Sequence, residues 1–466
     1  MFHAYHTSPS QTFDCLSPST GQSVSRVAAQ SVSESVAIAE IAAKSFINWS
    51  KVGPSVRRDL LLKAASLLET KADQFMDCMI SETGTSRLWA QFNIRGSISA
   101  LKEAASLTTQ VAGNTVPSDQ PGSLSLTLRV PAGVVLGIAP WNAPLLLGLR
   151  AIAMPLACGN TVILKASEAC PGTHWLIGEL FREAGAPEGV VNVVTHRNED
   201  AAVIVEALIA HPSIRRVNFT GSTKVGRIIG QLAGKHLKPA LLELGGKSPL
   251  VILEDADLDQ AVAAASFGAF MNAGQICMST ERIVVDEKIA DRFSDELAKK
   301  AIAMSLDGGL ISCSAADNVQ ALIDDAVQKG AKLLTPLKRA GNSFSPVVID
   351  HVKPGMKVYG DESFGPIAPI VRVSDANEAV NVANDTEYGL AAAVFGRDLS
   401  RTIDVAQRIE CGVCHINAPT VKSEPQLPFG GVKASGFGRF GGTAAIQEFT
   451  ELRTLTIQTQ AQKFPI

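Results

Sequence analysis

The chain has 466 residues, of which 46% are hydrophobic and 19% are charged, and its formal net charge at pH 7 is −3. So much apolar material excludes a disordered or collagen-like chain, and near-neutral charge without a basic run argues against a nucleic-acid-binding tract or a polybasic membrane anchor. Eight cysteines are too few for a disulfide scaffold and indicate buried thiols in a reducing compartment, so we expect a cytoplasmic protein that binds no nucleic acid.

The first hundred residues have helical patterns. Ser31 and Glu34 have the spacing of a capping box ahead of an apolar-periodic run, and Pro54 stands where a second helix would begin. Residues 1–10 have neither the basic nor the apolar segment of a secretory signal. We therefore expect helices in this part of the chain and no signal peptide.

Residues 130–149 form a stretch of 20 residues without a charge, which is about the length that spans a bilayer. Pro131, Pro140 and Pro144 interrupt the stretch, and Asn142 lies near its middle. In lipid these residues would leave polar groups unpaired. The stretch is therefore predicted to form a buried strand, a loop and a buried helix, with no membrane span.

Short apolar runs alternate with helical windows from residue 134 onward. The runs lie at residues 134–138, 161–164, 190–194, 216–219 and 240–244. The helical windows between them lie at residues 145–156, 172–184, 200–209 and 225–235. Nearly all-apolar strands that alternate with helices predict a parallel sheet covered on both faces. The alternation resumes from residue 249 to residue 415, which predicts a second α/β domain.

Residues 123–130 and 454–458 alternate apolar and polar side chains instead. Two such ribbons can pair and protrude to join subunits, or they can be two ordinary edge strands. The pattern alone is compatible with both.

Polar residues in glycine-rich surroundings lie at the ends of several predicted strands. Asn142, Glu243 and Glu362 are of this kind. Ligand sites of open α/β sheets gather at the carboxyl ends of strands. Residues 221–226 follow a strand and would direct a helix N-terminus at a pyrophosphate, although they do not match the usual dinucleotide fingerprint.

Lys165 and Glu168 lie just past the predicted strand at residues 161–164. They could hold the ribose hydroxyls of a dinucleotide, and an acid there would repel the extra phosphate of NADP. The alternative is a Lys–Glu pair on the surface.

Cys277 follows a predicted helix and is a candidate nucleophile. An ordinary thiol with a pKa of about 8.5 is only a few per cent thiolate at neutral pH, so it would need help. Glu243 could take the thiol proton and later activate water, and the Asn142 amide could donate to an oxyanion beside the Cys277 backbone N–H. The alternative is that Cys277 is a buried structural thiol.

Together, seven segments resemble the motifs of the NAD(P)-dependent aldehyde dehydrogenase superfamily, in that family's order and over nearly the whole chain. They are residues 140–144 (PWNAP), 159–165 (GNTVILK), 219–222 (FTGS), 243–247 (ELGGK), 274–277 (GQIC), 362–366 (ESFGP) and 428–431 (PFGG). Within the family the chain is most similar to the salicylaldehyde and vanillin dehydrogenases of aromatic degradation.

The resemblance implies the fold and its division into domains. The fold class is α/β, with a Rossmann-type parallel-sheet cofactor domain at residues 1–107 and 133–243 and a second α/β catalytic domain at residues 244–435. A small protruding β element for oligomerisation would comprise residues 108–132 and 450–466. The resemblance also implies a homodimer or a dimer of dimers.

The resemblance implies roles for the site residues as well. Cys277 would attack the aldehyde, Asn142 would hold the thiohemiacetal oxyanion, and Glu243 would activate the water that hydrolyses the thioester. NAD is expected in preference to NADP, because Glu168 would lie at the ribose. The residues expected to contact the cofactor are Ile138, Ala139, Pro140, Trp141, Lys165, Ser167, Glu168, Gly221, Ser222, Gly245, Glu362 and Phe364.

An aromatic aldehyde is the expected substrate. Arg150 is the only charge between Arg129 and Lys165, and a lone charge in an apolar helix needs a partner. It would pair either with a ring substituent of the substrate or with a neighbouring acid. The residues expected to line the substrate pocket are Trp89, Arg150, Ile276 and Phe429, with Phe270 as a further aromatic contributor. Trp89 could instead be an ordinary core residue.

Other candidate features are expected to carry no chemistry. Residues 411–415 match the C-x-x-C-H of haem attachment, but they lie within a predicted strand. The eight histidines show no metal spacing, so no metal is expected. Residues 305–316 form a connection that is shorter than the family usually has.

Two other functions compete with hydrolytic aldehyde oxidation. A CoA-acylating semialdehyde dehydrogenase is one, but such relatives usually lack the base at the position of Glu243. A non-catalytic structural protein on the same fold is the other, and the presence of Cys277, Glu243 and Asn142 together argues against it.

Overall fold

The computed structural model describes residues 11–462 and residue 464. Its strands, in chain order, are β1 (Thr12–Leu16), β2 (Ser23–Ala28), β3 (Asn114–Val116), β4 (Ser123–Pro131), β5 (Val134–Ile138), β6 (Thr161–Lys165), β7 (Val191–Val194), β8 (Ile214–Thr220), β9 (Ala240–Glu243), β10 (Ser248–Ile252), β11 (Thr280–Asp286), β12 (Lys332–Leu333), β13 (Arg339–Ala340), β14 (Ser343–Phe344), β15 (Val347–Asp350), β16 (Ile367–Val373), β17 (Ala391–Phe395), β18 (Val413–Ile416), β19 (Gly436–Phe437) and β20 (Thr450–Gln458). Its α-helices are α1 (Val32–Trp49), α2 (Pro54–Thr70), α3 (Ala72–Thr83), α4 (Arg87–Ser106), α5 (Pro144–Ala157), α6 (Pro171–Ala184), α7 (Ala201–Ala210), α8 (Thr223–Lys235), α9 (Leu258–Phe270), α10 (Glu287–Ala303), α11 (Cys313–Gln328), α12 (Lys357–Gly360), α13 (Ala376–Asn384), α14 (Leu399–Arg408) and α15 (Ala444–Glu448).

The N-terminal part of the chain contains the predicted helices and one hairpin that was not predicted. Ser31 caps α1 through its hydroxyl, and the Glu34 carboxylate accepts from the Ser31 N–H, so the capping box is confirmed. Pro54 begins α2 as expected. Strands β1 and β2 pair antiparallel ahead of these helices, with Ser25 and Val27 buried in β2. The prediction about a signal peptide rests on residues 1–10, which lie outside the described residues.

The first sheet has the strand order β19-β9-β8-β5-β6-β7. The strands from β9 to β7 are parallel, and β19 is antiparallel to β9. Val135 packs in one core with helices α5 and α6, whereas Val134 and Leu136 pack in another core with α1 and α7. Both faces of the sheet are therefore covered, which confirms the predicted parallel sheet and explains why its strands are apolar on both sides.

The second sheet has the order β12-β15-β16-β11-β10-β17-β18 and is parallel except for β12. It confirms the predicted second α/β unit. Residues 244–247 run directly from β9 of the first sheet to β10 of the second. This short connection joins the two sheets next to Glu243.

The third sheet has the order β20-β4-β3 and is antiparallel. Strands β4 and β20 pair over nine residues each, so the two alternating ribbons lie side by side rather than at the edges of the large sheets. Leu124, Leu128, Leu452 and Leu455 are exposed on this sheet. Its predicted part in joining subunits, like the predicted domain boundaries, stays a prediction.

The uncharged stretch at residues 130–149 forms the end of β4, the buried strand β5, a loop and the start of the buried helix α5. This is the predicted arrangement. In the part of the chain that the structure describes, no helix combines the length and the apolar character needed to cross a bilayer.

Candidate active site

Most of the predicted cofactor residues lie at one edge of the first sheet. Strands β9, β8, β5 and β6 are parallel neighbours, and they end at Glu243, Thr220, Ile138 and Lys165. The remaining predicted contacts of this sheet follow these ends directly, at residues 139–141, 167–168 and 221–222. The sheet therefore brings together residues that are up to 105 positions apart, since residue 138 and residue 243 meet at the same edge.

The N-terminus of α8 lies at this edge. Ser222 caps the helix by accepting the N–H of Val225. A side chain at Gly221 would meet the Phe219 ring, because a Cβ there would lie 2.5 Å from it. The position therefore needs glycine, and a glycine backbone at a helix N-terminus suits the close approach of a phosphate.

Lys165 is buried, and its Nζ lies 3.9 Å from Glu168 Oε2. Burial lowers the pKa of Lys165. The surface-pair interpretation is therefore wrong for Lys165, whereas Glu168 is partly exposed. A buried ammonium at this distance from its carboxylate has donors to spare for the hydroxyls of a ribose.

The turn at residues 362–364 comes from the second sheet and meets the first sheet here. Glu362 accepts the N–H of Gly246 at 2.9 Å, and a Cβ on Gly245 would lie 2.6 Å from Glu362 Oε2. Burial and the neighbouring Glu281 raise the pKa of Glu362 to about 8. The rings of Phe364 and Trp141 meet edge to face, with centroids 5.8 Å apart.

This turn is held by a buried ion pair that sequence reasoning missed. Glu281 accepts hydrogen bonds from the backbone of Ser363 and Phe364 and from the Ser363 hydroxyl, and it pairs with Lys247 at 2.8 Å. Lys247 belongs to a recognised motif, but Glu281 lies in β11 without a motif. The site thus combines a helix N-terminus, a buried cation, and carboxylates next to glycine backbone. This combination of hydrogen-bonding groups suits a nicotinamide dinucleotide.

Asn142 connects the loop after β5 with the turn before Cys277. Its amide donates to the Gln275 carbonyl at 3.0 Å. Its own carbonyl accepts from the Trp89 indole at 2.7 Å and from the Asn272 amide at 3.2 Å. Asn142 is thereby fixed beside the backbone that leads to Cys277.

The turn before Cys277 has an unusual backbone. Asn272, Ala273 and Gly274 have φ values of 51°, 54° and 75°, in the left-handed region. At Gly274 a side chain would strike the Gly365 carbonyl, because a Cβ there would lie 2.0 Å from its oxygen. Gln275 ties the turn to residues 305–316, since it donates to the Gly309 carbonyl and accepts the Ile311 N–H. The connection at residues 305–316 thus supports this turn, and its predicted shortening relative to the family stays a prediction.

Cys277 is half-buried. The exclusion of water and the Glu243 carboxylate raise the pKa of its thiol well above the ordinary value, and Arg150 opposes this effect. The neutral thiol therefore prevails at neutral pH, and a base must remove its proton before it can attack.

Glu243 is fully buried and paired with Arg150. The Arg150 Nη2 donates to Glu243 Oε2 at 2.6 Å and to the Thr220 hydroxyl at 2.9 Å. The guanidinium also lies over the rings of Phe440 and Phe429, at 4.3 Å and 5.5 Å from their centroids. Of the two interpretations of Arg150, the structure shows the ion pair with a neighbouring acid.

A cavity of about 1080 Å³, its open mouth included, leads to Cys277 and Asn142. The predicted pocket residues Trp89, Arg150, Ile276 and Phe429 all line it. Phe92 and Phe440, which were not predicted, also line it, and Phe92 stacks on Trp89 with centroids 4.9 Å apart. The i, i+3 spacing of Trp89 and Phe92 on α4 was the available signal.

Phe270 is a correction to the predicted pocket. It ends α9 and packs in the core of the second sheet, so it does not line the cavity. Its side chain is apolar on an apolar helix, and the sequence pattern does not distinguish a core face from a cavity face.

His174 is a further residue that was not predicted for the site. It is fully buried on α6; its Nδ1 accepts the Ser167 N–H at 3.0 Å, so its Nε2 carries the proton and donates to the Pro144 carbonyl at 3.1 Å. Burial lowers its pKa to about 3. One neutral imidazole thus links the loop after β6 to the start of α5, two residues from Asn142.

The Cys-x-x-Cys-His segment lies in and before β18, as expected. His415 bonds to the Lys422 carbonyl at 3.2 Å, and a hydrogen bond with Cys414 lowers the pKa of Cys411. Across residues 11–462 and 464, no three side chains of the metal-binding types gather at one place.

The chain is similar to known proteins over almost its whole length. The model of the aldehyde dehydrogenase family matches residues 5–455. A vanillin dehydrogenase of Pseudomonas fluorescens is 52% identical over 465 residues, which cover 98% of this chain and 96% of that protein. A salicylaldehyde dehydrogenase of Pseudomonas sp. strain C18 is 46% identical over 469 residues, which cover 98% of this chain and 97% of that protein. The crystal structure of a salicylaldehyde dehydrogenase from Pseudomonas putida G7 complexed with salicylaldehyde has a TM-score of 0.97 at 46% identity, covering 100% of this chain and 99% of that chain.

Proposed function

The chain belongs to the aldehyde dehydrogenase family and is an aldehyde-oxidising oxidoreductase that uses NAD(P), and from this premise we propose that it oxidises an aromatic aldehyde with NAD. The observation that carries the proposal is the apolar, ring-lined cavity that ends at Cys277. Its walls are largely aliphatic and aromatic, with Trp89, Phe429 and Phe440 among them. Relatives named for vanillin and salicylaldehyde support a substrate of the benzaldehyde type.

In this proposal Cys277 is the nucleophile and Glu243 takes its proton. The sulfur then adds to the aldehyde carbon, and the carbonyl oxygen becomes the oxyanion of a thiohemiacetal. The Cys277 N–H and the second amide hydrogen of Asn142 hold this oxygen, because the first amide hydrogen is bound to Gln275. One such donor is typically worth about 3–4 kcal/mol in the transition state.

We assign the dinucleotide to the edge of the first sheet, held by Lys165, Glu168 and Glu362 at the ribose hydroxyls and by Ser222 at the pyrophosphate. The other residues that would contact it there are Ile138, Ala139, Pro140, Trp141, Ser167, Gly221, Gly245 and Phe364. A nicotinamide bound there would supply the acceptor for the hydride of the thiohemiacetal carbon. The partly exposed Glu168 carboxylate favours NAD, since it would repel a 2′-phosphate.

The thioester on Cys277 is hydrolysed in the second half of the reaction. After Glu243 has released the thiol proton to solvent, it takes one proton from water, the remaining hydroxyl adds to the acyl carbon, and the carbon–sulfur bond breaks to release the acid and the Cys277 thiolate, which recovers a proton from Glu243. Arg150 holds one oxygen of Glu243 in place for this step. Hydrolysis by Glu243 distinguishes this proposal from a CoA-acylating enzyme or a non-catalytic protein.

A steady-state assay tests the substrate class. We expect higher kcat/KM for hydroxybenzaldehydes than for short aliphatic aldehydes, and NADH formation that does not require CoA. Equal or better kcat/KM on short aliphatic aldehydes would exclude the aromatic substrate. A strict dependence on CoA would favour the acylating alternative.

We further propose a homodimer or a dimer of dimers joined through the third sheet, because Leu124, Leu128, Leu452 and Leu455 are exposed there. Light scattering of Leu452→Asp against the unchanged chain tests this contact. We also infer a cytoplasmic location, which the eight free cysteines support.

A further inference from the structure

The charges along the cavity are unevenly distributed. Among the described residues that line it, Arg150 is the one cation, and it lies at the inner part near Cys277. Glu103 and Glu424 line the outer part, together with the exposed Leu427. A substrate therefore passes two carboxylates before it reaches the guanidinium.

The positive charge of Arg150 is already compensated. Its Nη2 is bound to Glu243 at 2.6 Å, so the pair as a whole is neutral. Two aromatic rings, Phe440 and Phe429, cover the guanidinium. A second carboxylate that approached the remaining N–H groups of Arg150 would join a pair that is already neutral, so the three groups together would carry a net negative charge.

The carboxylates of the outer part are only partly compensated. Glu424 lies 3.9 Å from Lys422 Nζ and accepts a hydrogen bond from Gln426. Glu103 accepts a weak hydrogen bond from the Ser106 hydroxyl at 3.4 Å. Both are half-buried beside apolar walls, where like charges repel more strongly than in open water.

An anionic substituent would lose its hydration in this cavity without gaining a free cation. Burial of an unpaired carboxylate is strongly unfavourable, whereas an amide or hydroxyl of similar size loses far less. The cost would apply to the substituent at the far end of the molecule from the aldehyde, because the aldehyde itself must reach Cys277.

We propose that this enzyme selects aldehydes that carry no negative charge and excludes aldehydes that carry a carboxylate, such as formylbenzoates and dicarboxylic semialdehydes. The proposal deepens the proposed function of the same site and rests on the cavity there being the substrate site. Arg150 acts in it as the counter-ion of Glu243 and not as a receptor for a substrate anion.

Two pairs of isosteric substrates test the proposal. The aromatic pair is 4-formylbenzamide and 4-formylbenzoate, and the aliphatic pair is 6-oxohexanamide and 6-oxohexanoate. We expect kcat/KM to be at least about 100-fold lower for the anion in each pair. Values of kcat/KM for the anion and the amide that lie within about threefold of each other would overturn the proposal.

Variants of residues that line the outer part of the cavity test which charges cause the selection against anionic aldehydes. Glu103→Gln and Glu424→Gln should each reduce the amide-to-anion ratio severalfold, and Leu427→Arg should reduce it further by supplying an uncompensated cation. Leu427→Gln is the matched control and should leave the ratio near that of the unchanged enzyme. Because each ratio compares two substrates on one enzyme preparation, partial unfolding does not alter it. An unchanged ratio in all three charge variants would contradict the assignment to these residues.

The two pairs also separate this proposal from the aromatic assignment. If aliphatic amides give the same kcat/KM as aromatic amides, the aromatic substrate class is wrong. The ratio of kcat/KM for the amide to kcat/KM for the anion still decides the charge selection. If aromatic amides give the higher kcat/KM and formylbenzoate has the same kcat/KM as formylbenzamide, the aromatic substrate class stands. The charge selection is then wrong.

Discussion

The Arg150 guanidinium and the Glu243 carboxylate meet at 2.6 Å in the inner part of the cavity. Glu243 is fully buried, and its Oε1 accepts no hydrogen bond from the residues that the structure describes. One carboxylate oxygen is thus fixed by a cation while the other keeps its capacity to accept a proton. This is the geometry that a base acting first on a thiol and then on water requires.

Replacing Arg150 should affect the hydrolytic step most. In Arg150→Gln the buried Glu243 carboxylate loses its counter-ion, so we expect thioester hydrolysis to slow about 10- to 100-fold. Stopped-flow NADH absorbance should then show a rapid burst followed by a slow steady state. Arg150→Lys, which keeps the charge, should recover part of the rate. A slower burst with an unchanged steady state would instead assign Arg150 to acylation.

Glu243 and Cys277 can be separated by trapping. Glu243→Gln keeps the shape of the side chain but cannot accept a proton, so acylation of Cys277 should slow and thioester hydrolysis should fall by about 100-fold or more. Mass spectrometry should then detect the acyl group on Cys277. Cys277→Ala should form neither the adduct nor NADH, while calorimetry still shows NAD binding. NADH turnover that persists in Cys277→Ala would exclude the nucleophile assignment.

Trp89 should matter through its hydrogen bond to the Asn142 carbonyl at 2.7 Å. Trp89→Phe keeps an aromatic ring in the cavity wall but removes the donor, which is worth about 1 kcal/mol. We expect kcat to fall about five- to tenfold with a smaller change in the KM for the aldehyde. Phe92→Leu alters the stacked ring without touching the hydrogen bond and is the control. An equal loss in both variants would mean that only the packing matters.

His174 should couple the two halves of the site, and two substitutions separate its two hydrogen bonds. The shorter amide side chain introduced by His174→Asn would reach as far as Nδ1 and keep the bond from Ser167, whereas the longer one in His174→Gln would keep the bond to Pro144. We expect His174→Asn to retain NAD affinity and lose kcat, and His174→Gln to show the reverse. A fluorescence titration with NAD alongside steady-state kinetics measures both. Identical losses in the two variants would leave His174 with a packing role.

The same imidazole predicts a pH dependence of stability. Its pKa is about 3 in the folded chain and 6.5 ordinarily, so between these values only the unfolded chain binds the proton. Its contribution is complete above pH 6.5 and is lost as the pH falls toward 3, by about 1.4 kcal/mol between pH 7.5 and pH 5.5. Urea unfolding at these two pH values should show a smaller difference in His174→Asn. An equal difference in both proteins would contradict the shifted pKa.

The parts of this fold that the sequence predicts are those encoded locally. Strand β5 is a continuous apolar run because it is buried on both faces, and α1 begins at a capping box that is readable in four residues. The hairpin of β1 and β2 is not predicted from the sequence. Its inward side chains, Ser25 and Val27, do not form the apolar alternation that indicates a strand.

The site is predictable where a motif carries it and not where distant residues meet. Asn142 and Cys277 lie in motifs, and the structure brings both to the cavity. Glu281 and His174 act through Ser363 and Pro144, which lie 82 and 30 positions away, and have no distinctive neighbours in the sequence. Arg150 was recognisable as a charge in need of a partner, but only the fold shows that the partner is Glu243, 93 positions along the chain.

The pairing of Arg150 with Glu243 has a further consequence during turnover. In the proposed reaction an aromatic aldehyde enters uncharged, and its oxidation yields a carboxylate that is ionised at neutral pH. The product therefore carries a negative charge beside a guanidinium that Glu243 already neutralises. Because the reaction itself creates this uncompensated charge, the cavity binds the acid more weakly than the aldehyde, so the charge arrangement that selects the substrate also favours release of the product.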